Sequence, residues 1–91
     1  MKYEFKFEED VNPFYRITLE EKMPKRLLIL VGFIKTFSLS DPIDYYMDEE
    51  GAYINLKPNK HFCQSIIIND LKQVLDGFDD YLKKHYPEIS E

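Results

Sequence analysis

The stretch KRLLILVGFIKTFSL, residues 25–39, decides which fold this sequence adopts. Its apolar residues fit both a helix and a strand. In a helix, four of them form a stripe at intervals of three and four residues: Leu27, Leu30, Val31 and Ile34. Pro24 would also suit the first turn of such a helix. In a strand, the same run is apolar on both faces, and Gly32 marks a bulge or a bend.

The strand is favoured for three reasons. A helix here would be apolar nearly all round, because Leu28, Ile29 and Phe33 cover the sides outside the stripe, and such a helix belongs inside a large protein. No Ser, Thr, Asp or Asn stands before it as an N-cap, and Lys25 and Arg26 lie at the end where the helix dipole disfavours positive charge. The β-branched residues favour extended backbone. We therefore predict a long strand, with the helix as the alternative.

Alternating sequence patterns on both sides of this stretch predict β-hairpins. KYEFKFEE and YRITLE each alternate apolar with polar residues, and the turn residues EDVNP lie near their junction. IDYYM and AYINLK flank DEEG, whose Gly51 suits a loop position with positive φ. These patterns predict hairpins over residues 2–20 and 43–57, and FCQSIII, residues 62–68, reads as a further strand.

A C-terminal helix is predicted over about residues 70–86, with Asn69 as its N-cap and Pro87 ending it. Its apolar stripe contains five residues: Leu71, Val74, Leu75, Phe78 and Leu82. The stripe needs an apolar surface, and the alternating strands offer one. The predicted fold class is therefore α+β: an antiparallel β-sheet of about four to six strands, with the C-terminal α-helix packed on one face, in a single globular domain of residues 1–91.

The composition describes an acidic chain of 91 residues with net charge −5 and one cysteine. A single cysteine excludes an internal disulfide framework, so we expect a reducing, cytoplasmic location. The longest apolar run, Leu27–Ile34, is far too short to cross a bilayer, and the N-terminus lacks the apolar region of a signal peptide, so no membrane contact is expected. The negative charge gives no general attraction to nucleic acid.

No stretch matches a catalytic or phosphate-binding motif, so we predict a protein that is not an enzyme. His61 and Cys63 are two apart on the predicted strand and would face the same side, but they are too few for a metal site and lack an oriented base. Asp48, Glu49 and Glu50 read as a charged hairpin tip. We therefore predict no catalytic residue, no cofactor-binding residue and no metal site.

The function that we predict is binding or regulation through protein–protein contact. A strand that is apolar on both faces would keep one face uncovered by the helix, and a homodimer would bury it. The predicted partners are thus a second copy of the chain and an unidentified protein. Asp76, Asp79 and Asp80, on the outer face of the C-terminal helix, are the candidate partner-binding residues.

Two alternatives use the same sequence differently. Aromatic residues along the strands could stack on bases, with Lys22, Lys25 and Arg26 as the phosphate-binding cluster. Residues 52–86 also resemble, in topology, the PUR/PC4 group of single-stranded nucleic-acid-binding modules, which implies that ligand; the acidic charge departs from that group and disfavours it. The second alternative is an acidic inhibitor that presents carboxylates to a basic, nucleic-acid-handling protein.

Overall fold

The computed structural model describes residues 2–9 and 11–89, which form a four-stranded antiparallel sheet and two helices. In chain order the elements are β1 (Tyr3–Glu8), β2 (Phe14–Leu19), α1 (Pro24–Phe37), β3 (Asp41–Met47), β4 (Ala52–Lys57) and α2 (Gln64–His85). The strand order is β1-β2-β4-β3. The α+β class, the two hairpins and the C-terminal helix on one sheet face are confirmed.

The register of the strands separates the sheet into one buried face and one open face. Ile17 pairs with Phe5 on one side and with Ile54 on the other, so these three side chains lie on the same face. That face carries the buried strand residues, which are Tyr15, Ile17, Leu19, Ala52, Ile54 and Leu56. They form one hydrophobic cluster with the buried residues of both helices, and thus both helices pack on this face.

Residues 25–39 are not a strand. The prediction for this stretch is wrong, because Pro24–Phe37 form helix α1 with Leu27, Leu30 and Ile34 buried. Phe33 packs on α2 as well, since its ring lies 5.5 Å from the Phe78 ring. The helix thus contacts the sheet and α2 at once, whereas Leu28 and Phe37 remain exposed.

Glu21 holds the two residues that precede α1, a contact that the sequence pattern did not reveal; the N-cap position itself is Met23, which makes no side-chain capping hydrogen bond among the described residues. Its Oε2 accepts hydrogen bonds from the backbone N–H groups of Lys22, at 2.9 Å, and Met23, at 3.1 Å. Its Oε1 lies 3.0 Å from Nε of Arg26, close enough for a charge contact. Because this carboxylate lies against the positive end of the helix dipole, the basic residues at the start of α1 carry less penalty than we expected.

Helix α2 begins at Gln64, about one and a half turns before the predicted start. The predicted strand at residues 62–68 is therefore wrong, and so is the prediction of Asn69 as the N-cap. Cys63 occupies the N-cap position with extended backbone, and it makes no side-chain capping hydrogen bond among the described residues.

The early start of α2 has two physical causes. Ile67 lies one turn before Leu71 and extends the buried stripe, so burial outweighs the strand preference of the β-branched run. Asp70 accepts hydrogen bonds from the Ser38 hydroxyl, at 2.9 Å, and the Leu39 N–H, at 2.8 Å. These bonds fasten the segment between α1 and β3 to α2.

Because residues 24–37 form a helix, the strand on which the predicted homodimer depended does not exist. None of the four described strands is apolar on both faces, so a dimer that buries a second apolar strand face loses its basis. Within residues 2–9 and 11–89, neither helix combines the length and hydropathy needed to cross a membrane.

Candidate functional site

The face of the sheet opposite the helices is a polar and aromatic surface. We call it the open sheet face. Its side chains lie on the opposite side of the strands from the apolar core and belong to Glu4, Lys6, Glu8, Phe14, Arg16, Thr18, Asp41, Asp44, Tyr46, Tyr53, Asn55 and Lys57. The pairing arranges many of them in rows across the sheet. One row runs Glu4, Thr18, Tyr53 and Tyr46, and the next runs Lys6, Arg16, Asn55 and Asp44.

A chain of hydrogen bonds crosses the middle of this face. Nε of Arg16 donates to Oδ1 of Asn55 at 3.1 Å, and Nδ2 of Asn55 donates to Oδ1 of Asp44 at 2.6 Å. Asn55 is 8% exposed, so the amide that joins the two charged groups is itself nearly buried. Arg16 is therefore held in one orientation on the surface, and a partner could use its other donors without first ordering the side chain.

Aromatic rings surround the Arg16 guanidinium. Its carbon lies 5.4 Å from the centre of the Phe14 ring and 6.0 Å from that of Tyr53, within the range of cation–π attraction. The Tyr53 ring stacks on Tyr46 with centres 4.8 Å apart and planes inclined by 23°. Tyr46 is 44% exposed, so this ring pair offers contact area to solvent.

The electrostatics at the Tyr53 end of the face are acidic. The Asp48 carboxylate raises the pKa of the Tyr53 hydroxyl, and partial burial and Glu50 add to the effect. A shallow depression of about 590 Å³ begins here, and its walls include Glu4, Glu20 and Glu50 as well as Lys2. Because three of the residues that line it are carboxylates, this depression is a poor site for a phosphate.

The predicted phosphate-binding cluster does not act as one group. The charge of Arg26 is offset by Glu21, and its side chain is only 18% exposed. Nζ of Lys22 donates to the Glu49 carbonyl oxygen at 3.0 Å, which ties it to the hairpin tip between β3 and β4. Lys25 is exposed on α1. The three basic residues are therefore near one another in sequence but differ in what they offer to a ligand.

The predicted partner-binding carboxylates all lie on α2. Asp76 accepts a hydrogen bond from the Tyr3 hydroxyl at 2.7 Å, and Asp80 is exposed, whereas Asp79 is half-buried. Burial and the bond to Asp76 raise the pKa of Tyr3 to about 12. Asp76 thus links α2 to the edge strand β1, and Asp80 points away from the sheet.

His61 and Cys63 do not share a strand face, because this segment is a turn followed by the start of α2. The Ser65 hydroxyl, 3.2 Å from Sγ of the exposed Cys63, favours the thiolate and so lowers the pKa of this thiol. Among the described residues, no three His, Cys, Asp or Glu side chains are grouped closely enough to hold a metal ion.

Sequence reasoning missed the residues at the centre of the open sheet face. The period-two pattern places Arg16 and Asn55 on the solvent side of their strands, and this signal was available. The pattern does not give the register of the strands. The register places Asn55 between Arg16 on β2 and Asp44 on β3. The strand aromatic residues that could stack on bases lie on both faces of the sheet. Tyr46 and Tyr53 stack on each other on the open sheet face. The others lie on the helix side: Tyr3, Phe5, Phe7, Tyr15 and Tyr45.

Comparison of the chain with protein-family models, curated proteins and solved structures gives no match.

Proposed function

We propose that this chain is a small, non-enzymatic binding or regulatory protein that contacts a partner protein through the open sheet face. One observation carries the proposal: a preoriented arginine, held by Asn55 and Asp44, lies beside the stacked rings of Tyr46 and Tyr53 on a face that the helices do not cover. Tyrosine and arginine are among the residues that contribute most to protein–protein binding.

The charge pattern of the face supports a protein rather than a polyanion as the partner. Three basic and four acidic side chains are mixed on it: Lys6, Arg16, Lys57, Glu4, Glu8, Asp41 and Asp44. A surface of this kind complements a partner of mixed charge, and mismatched charges would reject other proteins. The fixed position of Arg16 reduces the entropy lost on binding.

A single-stranded nucleic acid is the second candidate ligand. The observation that favours it is the exposed Tyr46–Tyr53 stack beside Arg16, because base-binding surfaces combine aromatic rings with basic side chains. The balanced charge of the face and the net charge of −5 weigh against it. The resemblance over residues 52–86 covers β4 and α2 only.

An acidic inhibitor of a basic partner is the third candidate. Asp76, Asp79 and Asp80 on α2 would be its contact residues, and they lie on the helix side of the molecule rather than on the open sheet face. Reversal of Asp80 to Lys would then weaken partner binding. Under the main proposal the same change leaves partner binding unaltered.

The main proposal is tested with two neighbouring tyrosines that have almost equal exposure and opposite orientation. Tyr46 is 44% exposed and belongs to the open sheet face, whereas Tyr45 is 43% exposed and pairs with Ile54 on the helix side. A partner is first captured with the wild-type protein, and its affinity for purified variants is then measured by calorimetry. We expect Tyr46→Ser to weaken binding by about 30-fold, the effect of losing about 2 kcal/mol at a central contact.

Tyr45→Ser is the matched control and should leave the affinity within about twofold of wild type. Equal loss in both variants, or no loss in Tyr46→Ser, would remove the open sheet face as the contact surface.

The nucleic-acid candidate is tested separately with fluorescent single-stranded oligonucleotides. We expect no binding at about 150 mM salt, where phosphate contacts alone are weak. Low-micromolar affinity that is lost in Tyr46→Ser and retained in Tyr45→Ser would favour nucleic acid over protein as the ligand.

The proposal includes a cytoplasmic location and no catalytic step. A chain with one cysteine gains nothing from an oxidising compartment, which supports the location. If His61 and Cys63 have no chemical role, then His61→Ala and Cys63→Ser bind the partner as tightly as wild type. Stoichiometric zinc in the purified protein, lost in either variant, would contradict this part of the proposal.

A further inference from the structure

The sheet has two edges, and they differ in whether a further strand can pair with them. The strand order places β1 at one edge and β3 at the other. The β3 edge contains Pro42, which has no N–H, and its register is irregular between Pro42 and Asp44. Both features are typical of edges that accept no further strand. β1 contains no proline, and its six residues pair with β2 in one unbroken register.

The backbone of β1 directs three residues away from the sheet. The Glu20 N–H donates to the Lys2 carbonyl oxygen at 3.5 Å, and hydrogen-bonded pairs alternate with other pairs along an antiparallel ladder. The even-numbered residues of β1 therefore bond to β2 in the observed register. The N–H and C=O groups of Tyr3, Phe5 and Phe7 point outward, and we call them the β1 edge. Within residues 2–9 and 11–89, no backbone group of another element bonds to them.

The charges of β1 alternate in sign along its open side. Glu4, Lys6 and Glu8 belong to the open sheet face, and the exposed Lys2 precedes them at the same spacing. Read in the opposite direction, this series has the opposite sign at every position. Charged side chains on an edge strand reject most other strands, but this strand is complementary in charge to an antiparallel copy of itself.

Lys6 has a basic neighbour on β2. It lies opposite Arg16 in the ladder, and like charges in that position are unfavourable. Within the protomer its acidic contact lies along the strand, where Nζ of Lys6 is 3.4 Å from Oε1 of Glu8. An acidic residue across the β1 edge would balance the pair of basic residues.

One central register of an antiparallel copy satisfies both the backbone and the charges. The hydrogen bonds require odd-numbered residues to lie opposite one another. When Phe5 lies opposite Phe5, Glu4 faces Lys6 and Lys2 faces Glu8. A shift of two residues one way places Glu4 opposite Glu4, and a shift the other way places Lys6 opposite Lys6. In the first register the charged residues also occupy the pairs without hydrogen bonds, where side chains lie closest.

We propose that the β1 edge binds β1 of a second copy of this chain, antiparallel and with Phe5 opposite Phe5, in a two-fold dimer. The two four-stranded sheets become one sheet, joined by about six main-chain hydrogen bonds. The half-buried rings of Tyr3, Phe5 and Phe7 gain contacts across the axis on the helix side.

This dimer replaces the sheet-face dimer predicted from the sequence with a contact between sheet edges. It does not rest on the proposed partner contact, since the axis is perpendicular to the sheet and leaves Tyr46 and Tyr53 uncovered. Both open sheet faces then lie on the same side of the dimer.

The first experiment measures association by sedimentation equilibrium from one to several hundred micromolar protein. Glu4→Lys and Lys6→Glu should each raise the dissociation constant about fivefold or more, because every dimer then contains two like-charge contacts. The double variant Glu4→Lys/Lys6→Glu exchanges the two charges, so opposite charges face each other again and the dissociation constant should return to within about threefold of wild type.

Lys60→Glu is the matched control for the charge change. Lys60 is exposed in the turn after β4 and lines a depression with Asp41 of β3, at the other edge of the sheet. Its substitution should leave the dissociation constant within about twofold of wild type. Circular dichroism of each variant confirms that its fold is retained.

The second experiment tests the register by disulfide formation, with Cys63→Ser in every protein because the native thiol is exposed. Glu4→Cys and Lys6→Cys proteins are mixed under mild oxidation. In the proposed register positions 4 and 6 have Cα atoms about 4.5 Å apart, within the range of a disulfide. Identical positions are offset by two residues and lie beyond about 7 Å. We expect the mixed disulfide to form at least about tenfold faster than either homodimeric one.

Several results would overturn the proposal. A folded monomer at several hundred micromolar excludes the dimer. Equal weakening by Lys6→Glu and Lys60→Glu moves the contact away from β1. Failure of the double charge variant to recover association, or equally fast disulfide formation in the single cysteine variants, excludes the register with Phe5 opposite Phe5.

Discussion

Glu21 is the residue whose removal tests most directly why residues 25–39 form a helix. The change Glu21→Ala removes the carboxylate that accepts hydrogen bonds from the backbone N–H groups of the two residues just before α1, at 2.9 and 3.1 Å. It also leaves the Arg26 side chain, which is 18% exposed, without its 3.0 Å charge contact. Two effects are therefore lost together: the hydrogen bonds that hold the segment leading into the helix, and the compensation of a largely buried cation.

The expected cost follows from these contacts. Hydrogen bonds to a charged group contribute about 1.5–3 kcal/mol, and a carboxylate near the positive end of a helix dipole contributes about 0.3–1 kcal/mol. Partial exposure of Arg26 reduces the penalty for its unpaired charge, so we expect a total loss of about 2–4 kcal/mol. A domain of 91 residues has about 5–14 kcal/mol of stability at the usual value per residue. The variant should fold but melt about 8–30 °C lower.

Urea unfolding followed by far-UV circular dichroism measures this loss, and tyrosine fluorescence gives a second probe, since the chain has no tryptophan. Glu20→Ala is the control, because Glu20 is an adjacent carboxylate that is exposed. Its cost should stay below about 0.5 kcal/mol.

A double-mutant cycle with Arg26→Met isolates the charge contact between Glu21 and Arg26. We expect a coupling energy of at least about 1 kcal/mol. If Glu21→Ala costs no more than Glu20→Ala, the explanation of α1 through Glu21 is wrong. If the cost is large but the coupling energy is near zero, the backbone hydrogen bonds of Glu21 stabilise α1 and its charge contact with Arg26 does not.

Three further predictions concern the rest of the fold. Phe78 is fully buried on α2, so Phe78→Ala should cost about 3–5 kcal/mol in urea unfolding; a loss below about 1 kcal/mol would mean that α2 is not docked on the sheet. Gly51 has φ of 155°, and a Cβ there would collide with a backbone oxygen of β2, so Gly51→Ala should lower the free energy of unfolding by about 1–3 kcal/mol. Gly77 lies in a helix with open space around its Cα, so Gly77→Ala should raise the free energy of unfolding by up to about 1 kcal/mol. The pKa of Tyr3 rises on folding from 10.0 to about 12, so the folded state retains a proton that the unfolded state loses; stability should fall as pH rises from 10 to 12, and the fall should be smaller in Tyr3→Phe, which a pH series of urea titrations would show. An identical pH profile for Tyr3→Phe would refute the role of its bond to Asp76.

The sequence by itself determined the elements whose pattern is local and unambiguous. The hairpin over residues 2–20 follows from alternation, because a strand with one buried face needs apolar side chains at every second residue. The hairpin over residues 43–57 follows from the turn residues DEEG between two apolar segments. The positive φ of Gly51 follows from turn chemistry in the same way. The apolar stripe of α2 likewise predicts the helix and the face that it buries, although not its first residue.

Tertiary structure decided α1, the start of α2 and the candidate site. The apolar residues of 25–39 fit the spacing of a helix and that of a strand. The helix is selected by Glu21, which lies outside the stretch, and by the contact of Phe33 with α2. The start of α2 depends on burial of Ile67 against the sheet, which outweighs a local preference for strand. Arg16 and Asn55 are 39 residues apart and meet only because β2 pairs with β4 in one register. A pattern along the chain records which side of a strand faces solvent, but only the pairing of distant strands determines which side chains become neighbours.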